Sequence, residues 1–258
     1  MAWTRTYDEP EPQRVNRWLA QAGVCSRREA EGLIAQGLVS IDGETVADAG
    51  RKIEPGQTIT LTDRASGQLG AALSVVIHKP IGVVSSQPEG SQVPAVRLLT
   101  RDALMGRSPM IPGRDSKLAP LGRLDMDSRG LLILSEDGVL AKALIGPESD
   151  LEKEYLVRVA GDITEAKLER LRHGLELDGR QLREAKVELL HGKELRFVLK
   201  EGRNRQIRRM CDLVGLSVKD LFRVRIGPLR LGGLPLGKWR ALTSEERDSL
   251  IDAGKPAP

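Results

Sequence analysis

Apolar positions along the chain change period several times, and each change marks an element. In "RVNRWLAQAG" Val15, Trp18, Leu19 and Ala22 recur at helical spacing, and Gly23 stands where a helix would stop. "CSRREAEGLIAQG" predicts a second helix: Ser26 and Glu29 form a capping box, Ala30, Leu33 and Ile34 the buried stripe, and Gly37 the end. "LVSIDGETV" reads as strand, Asp-Gly turn and strand, and "IEPGQTITL" repeats the idea around Pro-Gly. Residues 12–61 thus predict a compact helix–helix–hairpin unit. The residues before it, with Pro10 and Pro12, read as a loose tail, and "TDRASGQLGAA" at 62–72 as a small, polar linker.

From "LSVVIHKPIGVVSS" onward strands and helices mix until about Leu250, and 251–258 reads as a tail. "EKEYLVRVAG" and "ELRFVLK" predict strands, "TEAKLERLRHG" a helix between Thr164 and Gly174, and "LELDGRQLREAKVELL" strands about an Asp-Gly turn. "EGRNRQIRRMCDLVG" is a turn followed by a helix whose Ile207, Met210, Cys211 and Val214 face the core. Residues 85–119 show little periodicity apart from "VPAVRLL" and predict a long loop. This irregular alternation favours an α+β fold with a mixed sheet over a doubly wound one.

Composition narrows the picture modestly. With 258 residues, 40% of them hydrophobic, the chain has room for a small and a medium domain. A net charge of +4 and a pI near 9.2 are compatible with nucleic acid. Cys25 and Cys211, far apart and without a CxxC pair, point to a reducing compartment and away from structural zinc. With no apolar run of membrane-spanning length and no signal-peptide core, a soluble, cytoplasmic protein is expected. Aromatics at 3% weaken any reading that needs rows of stacking rings.

Charge distribution says more. Residues 1–61 are net −2, yet Arg14, Arg17, Arg27 and Arg28 fall within a stretch without an acid, either a solvated helix surface or a face for phosphates. Residues 201–230 are net +5, and Arg203, Arg205, Arg208 and Arg209 crowd a helix start, the unfavourable end for its dipole. That concentration suits an anionic polymer or a buried carboxylate. In "PLGRLDMDSRGLLILSEDG", Arg123, Asp125, Asp127 and Arg129 crowd a turn directly before an apolar run. Asp125, Asp127, Gly130 and Glu136 match EF-hand spacing, but Arg129 takes an oxygen-donor position and a strand fills the loop, so calcium is not expected. As a glycosidase-like pair, Asp125 and Asp127 lack a division into acid and base. No phosphate loop or GxGxxG is present, and His78, His173 and His191 read as structural or solvent-facing. Tyr155 reads equally as a core residue on an alternating strand or as a stacking platform.

Two resemblances gather these oddities. "RVNRWLAQAGVCSRREAEGLIAQGLVSIDGETV" resembles the S4 RNA-binding module. "GRLDMDSRGLLILSEDG", "KEYLV" and "GRNRQIRRM", in that order, resemble the pseudouridine synthases of the RsuA/RluB/RluE/RluF type, which isomerise uridine in ribosomal RNA. "NRQIRRMCDLVG" and "LPLGKWRALT" are most similar to the RluF branch, which modifies large-subunit RNA. The resemblance spans residues 13 to 250 and implies an S4-like domain at 12–61 and a catalytic domain at 73–250. The latter would be a mixed, mainly antiparallel sheet with flanking helices.

It further implies that Asp125 is the catalytic residue, that Tyr155 packs against the target base with Lys153 beside it, and that Arg208 pairs with the catalytic carboxylate. RNA would meet Arg14, Arg17, Arg27, Arg28, Arg123, Lys153, Arg203, Asn204, Arg205, Gln206 and Arg209. The reaction breaks the N1–C1′ bond, turns the uracil and rejoins it through C5, without redox change or net addition of water, so no cofactor and no metal are implied. The carboxylate either attacks C1′ or removes the C2′ proton; both routes stay open. Either needs Asp125 charged where burial disfavours charge, with Arg208 opposing that cost. It also needs the base flipped from its stack onto an aromatic ring. The expected substrate is a uridine of 23S rRNA, with 16S rRNA or a catalytically silent S4-bearing rRNA-binding factor as alternatives. The expected state is a monomer.

Overall fold

The structure, a computed structural model, describes residues 2–113 and 116–255. The chain forms two compact units, one running to Leu73 and including Ser135–Lys142, the other comprising Ser74–Leu134 and the chain from Ala143.

In the first unit β1 (Trp3–Thr6) and β2 (Gln13–Arg14) precede α1 (Val15–Gln21) and α2 (Arg27–Ala35). Then come β3 (Val39–Ile41), β4 (Glu44–Thr45), β5 (Lys52–Ile53), β6 (Thr58–Leu61) and α3 (Asp63–Gly70). Both arms of the Ser26–Glu29 capping box are made, and Asp42 and Gly43 adopt the positive φ of a tight hairpin turn. Val15, Trp18, Leu19, Ala30, Leu33 and Ile34 meet Ile41, Ile59 and Leu61 in one core.

Three segments of this unit depart from expectation. The loose tail is strand β1, antiparallel to β6 with Trp3 opposite Leu61. Trp3 packs tilted and Tyr7 edge-on against Trp18, with ring centroids 6.1 and 5.7 Å apart, and the buried Tyr7 donates its hydroxyl to the Glu11 carbonyl. Aromatic burial on this scale offsets the entropy of ordering the segment. "IEPGQTITL" is no hairpin: β5 pairs with β2, whereas β6 pairs with β1 and β3. Separate sheets let Ile53, Ile59 and Leu61 all reach the interior. The 62–72 linker is the helix α3, capped by Thr62 and anchored by the buried Ala65.

The second unit begins with β7 (Ser74–Lys79), β8 (Val83–Val84), β9 (Val93–Pro94), a 3-10 turn (Ala95–Leu98) and β10 (Ala119–Pro120). Among the described residues between β8 and β10 the backbone is otherwise irregular, and the buried Trp239 indole holds it by donating to the Thr100 carbonyl at 2.7 Å. β11 (Arg129–Ser135) follows, then α4 (Gly138–Ile145), most of which belongs to the first unit, then β12 (Lys153–Ala160) and α5 (Glu165–Arg172). Next are β13 (Glu176–Leu177), β14 (Arg180–Gln181), β15 (Lys186–His191) and β16 (Glu194–Leu199). The chain ends with α6 (Gln206–Leu213), β17 (Ser217–Ile226), β18 (Leu229–Arg230), β19 (Trp239–Ala241) and α7 (Ser244–Ala253).

The main sheet runs β15-β16-β12-β17-β11-β7-β19, with β10 on β11 and β18 on β17. β12 is antiparallel to both neighbours, while β11 and β17 run parallel. The sheet is therefore mixed and mainly antiparallel, as expected. Residues 251–253, expected in the tail, continue α7, whose Thr243–Glu246 capping box and buried Leu250 tie it down; 256–258 lie outside the described residues. No helix among the described residues is long and apolar enough to cross a membrane.

Candidate active site

The charged turn before β11 is held from both sides. The buried Ser85 hydroxyl donates to the Leu124 carbonyl at 2.7 Å and accepts the Leu124 N–H at 2.8 Å. The Ser128 N–H closes the turn onto the Asp125 carbonyl at 3.1 Å. Directly after it Gly130 has φ +119, and a Cβ there would lie 2.2 Å from the Arg223 carbonyl. Only glycine lets β11 approach β17 so closely. Asp125, its side chain 32% exposed, stands in a cleft of about 810 Å³ whose lining includes Lys153, Tyr155, Asn204, Arg205, Arg208 and Arg223.

The remaining walls come from sheet register and a strained helix start. Tyr155 on β12 pairs with Arg223 on β17 and is 9% exposed; among the described residues its hydroxyl has no hydrogen-bond partner. Lys153 lies two residues earlier, and burial, with the Arg223 charge, holds its ammonium below the ordinary lysine range. Arg205 caps α6 in the left-handed region, φ 50 and ψ 33, at a cost of about 1 kcal/mol for a residue with a Cβ.

The ion pairs differ from expectation. Arg208 does not pair with Asp125. Its Nη2 donates to the Asp127 carbonyl at 2.7 Å and to the Ser128 hydroxyl at 3.3 Å, and lies 3.3 Å from Asp127 Oδ1. Arg205 instead donates to both Asp127 oxygens, at 3.2 and 2.9 Å, and its Nη1 stands 3.6 Å from Asp125 Oδ2. Burial alone would raise the Asp127 carboxyl, but the Arg205 hydrogen bonds and the Arg208 and Arg205 charges outweigh it and hold the group below the usual carboxylate range.

Besides Lys153 and Arg205 in the cleft, the residues expected to touch RNA divide into two sets. Arg14, Arg17, Arg27, Arg28, Arg123 and Asn204 are exposed, and the four N-terminal arginines have no ion pair among the described residues. Three others are engaged internally. Arg203 donates to the Leu177, Arg180 and Gln181 carbonyls, the buried Gln206 binds Glu201, and Arg209 grips Asp178 with two bonds of 2.8 and 2.7 Å. The β13–β14 hairpin takes up Arg203 and Arg209, a contact no local pattern announces.

Sequence reasoning missed Lys79, Ser85 and Arg223. Lys79 is fully buried and donates from Nζ to the Pro80 and Val83 carbonyls at 2.8 and 2.7 Å. Burial pushes its ammonium down to about 8 against the pull of Asp125 and Asp127. A lysine closing the apolar run "SVVIHKP" was a readable signal; Ser85 and Arg223 had none. Cys25 and Cys211 are free and buried, and burial pushes both thiols up to about 12, which makes them inert at neutral pH.

Residues 74–213, the stretch that carries the turn, the tyrosine strand and the arginine helix, match the family model for RNA pseudouridylate synthase. The chain belongs to this family. Residues 13–59 of the synthase match the S4 domain. Across 94% of its length it is 36% identical to the dual-specificity RNA pseudouridine synthase RluF of Escherichia coli K12, covering 78% of that protein. It is 34% identical over 93% of its length to an uncharacterized RNA pseudouridine synthase of Aquifex aeolicus, covering 94% of it. A crystal structure of a pseudouridylate synthase matches with a TM-score of 0.63 and 27% identity, covering 92% of this chain and 99% of that one. The synthase is an isomerase acting on RNA, and its fold is an N-terminal S4 domain followed by the pseudouridine synthase sheet.

Proposed function

We propose that the synthase isomerises a uridine of large-subunit ribosomal RNA, with Asp125 as the carboxylate that acts on the ribose. The observation that carries this reading is the cleft itself. It places Asp125, with only one long ion-pair contact, beside the buried Tyr155 ring and among cations. A flipped uridine stacked on Tyr155 brings its C1′ and C2′ toward the free oxygens of Asp125. Arg205 holds the carboxylate from one side, and the Arg208–Asp127 pair fixes the turn beneath it. Similarity to the RluF branch supports the large-subunit RNA, the exposed Arg14, Arg17, Arg27 and Arg28 support phosphate contacts by the S4 domain, and a cytoplasmic monomer is the working state.

The test uses the chemistry's own leaving group. Rejoining through C5 sends the C5 hydrogen to solvent while N1 gains a proton, so [5-³H]uridine releases tritium. Full-length wild type and Asp125→Ala are assayed on large-subunit, small-subunit and transfer RNA transcripts. Release from the large-subunit transcript, abolished in Asp125→Ala, is the expected result. Release that survives Asp125→Ala would remove the aspartate from this role, and release from another RNA alone would reassign the substrate.

A further inference from the structure

Arg223 is a cation without an anion. Its side chain is 3% exposed, and among the described residues no carboxylate lies within ion-pair distance of it. Nε donates to the Leu131 carbonyl at 2.8 Å and Nη1 to the Arg123 carbonyl at 3.3 Å, but Nη2 is buried with no partner. Leaving a guanidinium arm buried and unpaired is expensive. Of the other cations nearby, Arg205 and Arg208 are engaged with Asp127 and Lys79 with two backbone carbonyls.

Its position says what is missing. Arg223 lies opposite Tyr155 across β12 and β17, lines the same cleft, and borders the Asp125 turn through the Arg123 carbonyl. Its charge is felt there, adding to burial in holding Lys153 low. Phosphates of a flipped nucleotide stay at the cleft's mouth, whereas the base goes to the Tyr155 wall. That base is neutral on entry. When the N1–C1′ bond breaks, its electron pair stays on the uracil, and negative charge spreads over N1, O2 and O4. This anion is the natural partner of a buried donor that starts without one.

Resting on the function proposed above, we propose that Arg223 is a further catalytic residue, its guanidinium donating to a uracil carbonyl oxygen from the cleft wall and carrying the charge that develops as the glycosidic bond breaks. The guanidinium keeps all its protons. The electron pair passes from N1–C1′ to the uracil and then into the new C5–C1′ bond, the C5 proton leaves to solvent while its bond pair returns to the ring, N1 takes a proton from solvent, and the Arg223 contact weakens again.

A better leaving group should need Arg223 less. Full-length wild type, Arg223→Met and Arg223→Lys are compared in single turnovers at saturating enzyme on the RNA that releases tritium and on the same RNA made with 5-fluorouridine, whose uracil anion is more stable. Bond cleavage in the latter is followed as loss of 5-fluorouridine from nuclease digests. Arg223→Met is expected to slow the uridine reaction by about 10²–10³-fold. Its Kd for RNA should stay within about threefold, and the rate deficit on fluorouridine should be at least about tenfold smaller. Arg223→Lys, which keeps the charge without the fork, should fall between and show the same recovery. It carries the test if Arg223→Met does not fold by circular dichroism. Equal deficits on both RNAs, or a loss confined to Kd, would overturn the assignment while leaving the proposed function standing. A wild type silent on every RNA would overturn both.

Discussion

Asp125 and Asp127 stand two residues apart in one turn, and their surroundings give them different work. Asp127 takes two bonds from Arg205 and a close approach from Arg208, which saturates its oxygens, whereas Asp125 has one contact at 3.6 Å. The first is a brace and the second is available. Because the folded-state Asp127 carboxyl is held below its unfolded value, its contribution to stability is present above the unfolded pKa of about 4 and is lost as pH falls through the lower folded value. Urea unfolding of wild type and Asp127→Asn should therefore show a wild-type advantage near neutral pH that shrinks below about pH 4. An advantage independent of pH would place the role of Asp127 in packing. The carbonyl that Arg208 uses belongs to the backbone and survives this substitution, so the variant should remain folded.

Elements, rather than single side chains, decide how near the turn comes to the sheet. The parallel pairing of β11 with β17 sets Arg129 opposite Phe222 and Gly130 opposite Arg223. Arg129 then stacks on the Phe222 ring at 4.0 Å and binds Asp220 with its guanidinium, fixing the strand end on the far side of the pleat. A methyl group at position 130 would collide with backbone, which cannot yield as a side chain can. Gly130→Ala should cost about 3 kcal/mol from overpacking and a disfavoured φ, lowering the melting temperature by several degrees. The turn would be pushed off the cleft floor, so turnover should fall more than RNA affinity. A variant with unchanged melting temperature would show that β11 can shift at no cost. β11 is readable from its apolar run, but its parallel pairing with β17 joins residues some ninety positions apart and has no local signature.

At the scale of the molecule, charge is sorted into cations that are engaged and cations that are free. Exposed Arg27 and Arg28 have no ion pair among the described residues, while Arg209 is bound to Asp178. If the first two meet phosphate, Arg27→Ala/Arg28→Ala should reduce the slope of log Kd against log salt by about 1.5, and Arg209→Ala should leave it unchanged. Equal slopes for all three proteins would place the phosphate contacts elsewhere. The same sorting separates what one dimension determines from what three decide. The capping box at Ser26, the tight turn at Asp42–Gly43, the amphipathic stripe of α6 and the charged turn at Asp125 were legible, because each depends on residues within about a turn of one another. The pairing of β1 with β6, the division of β5 from β6, the burial of Lys79 and the exchange of partners between Arg205 and Arg208 were not. These depend on distances between residues far apart in the chain. Hydrogen bonds and ion pairs fall off within a few ångströms, so only the folded sheet determines which side chains come close enough to bond and which, like the Nη2 arm of Arg223, are left without a partner.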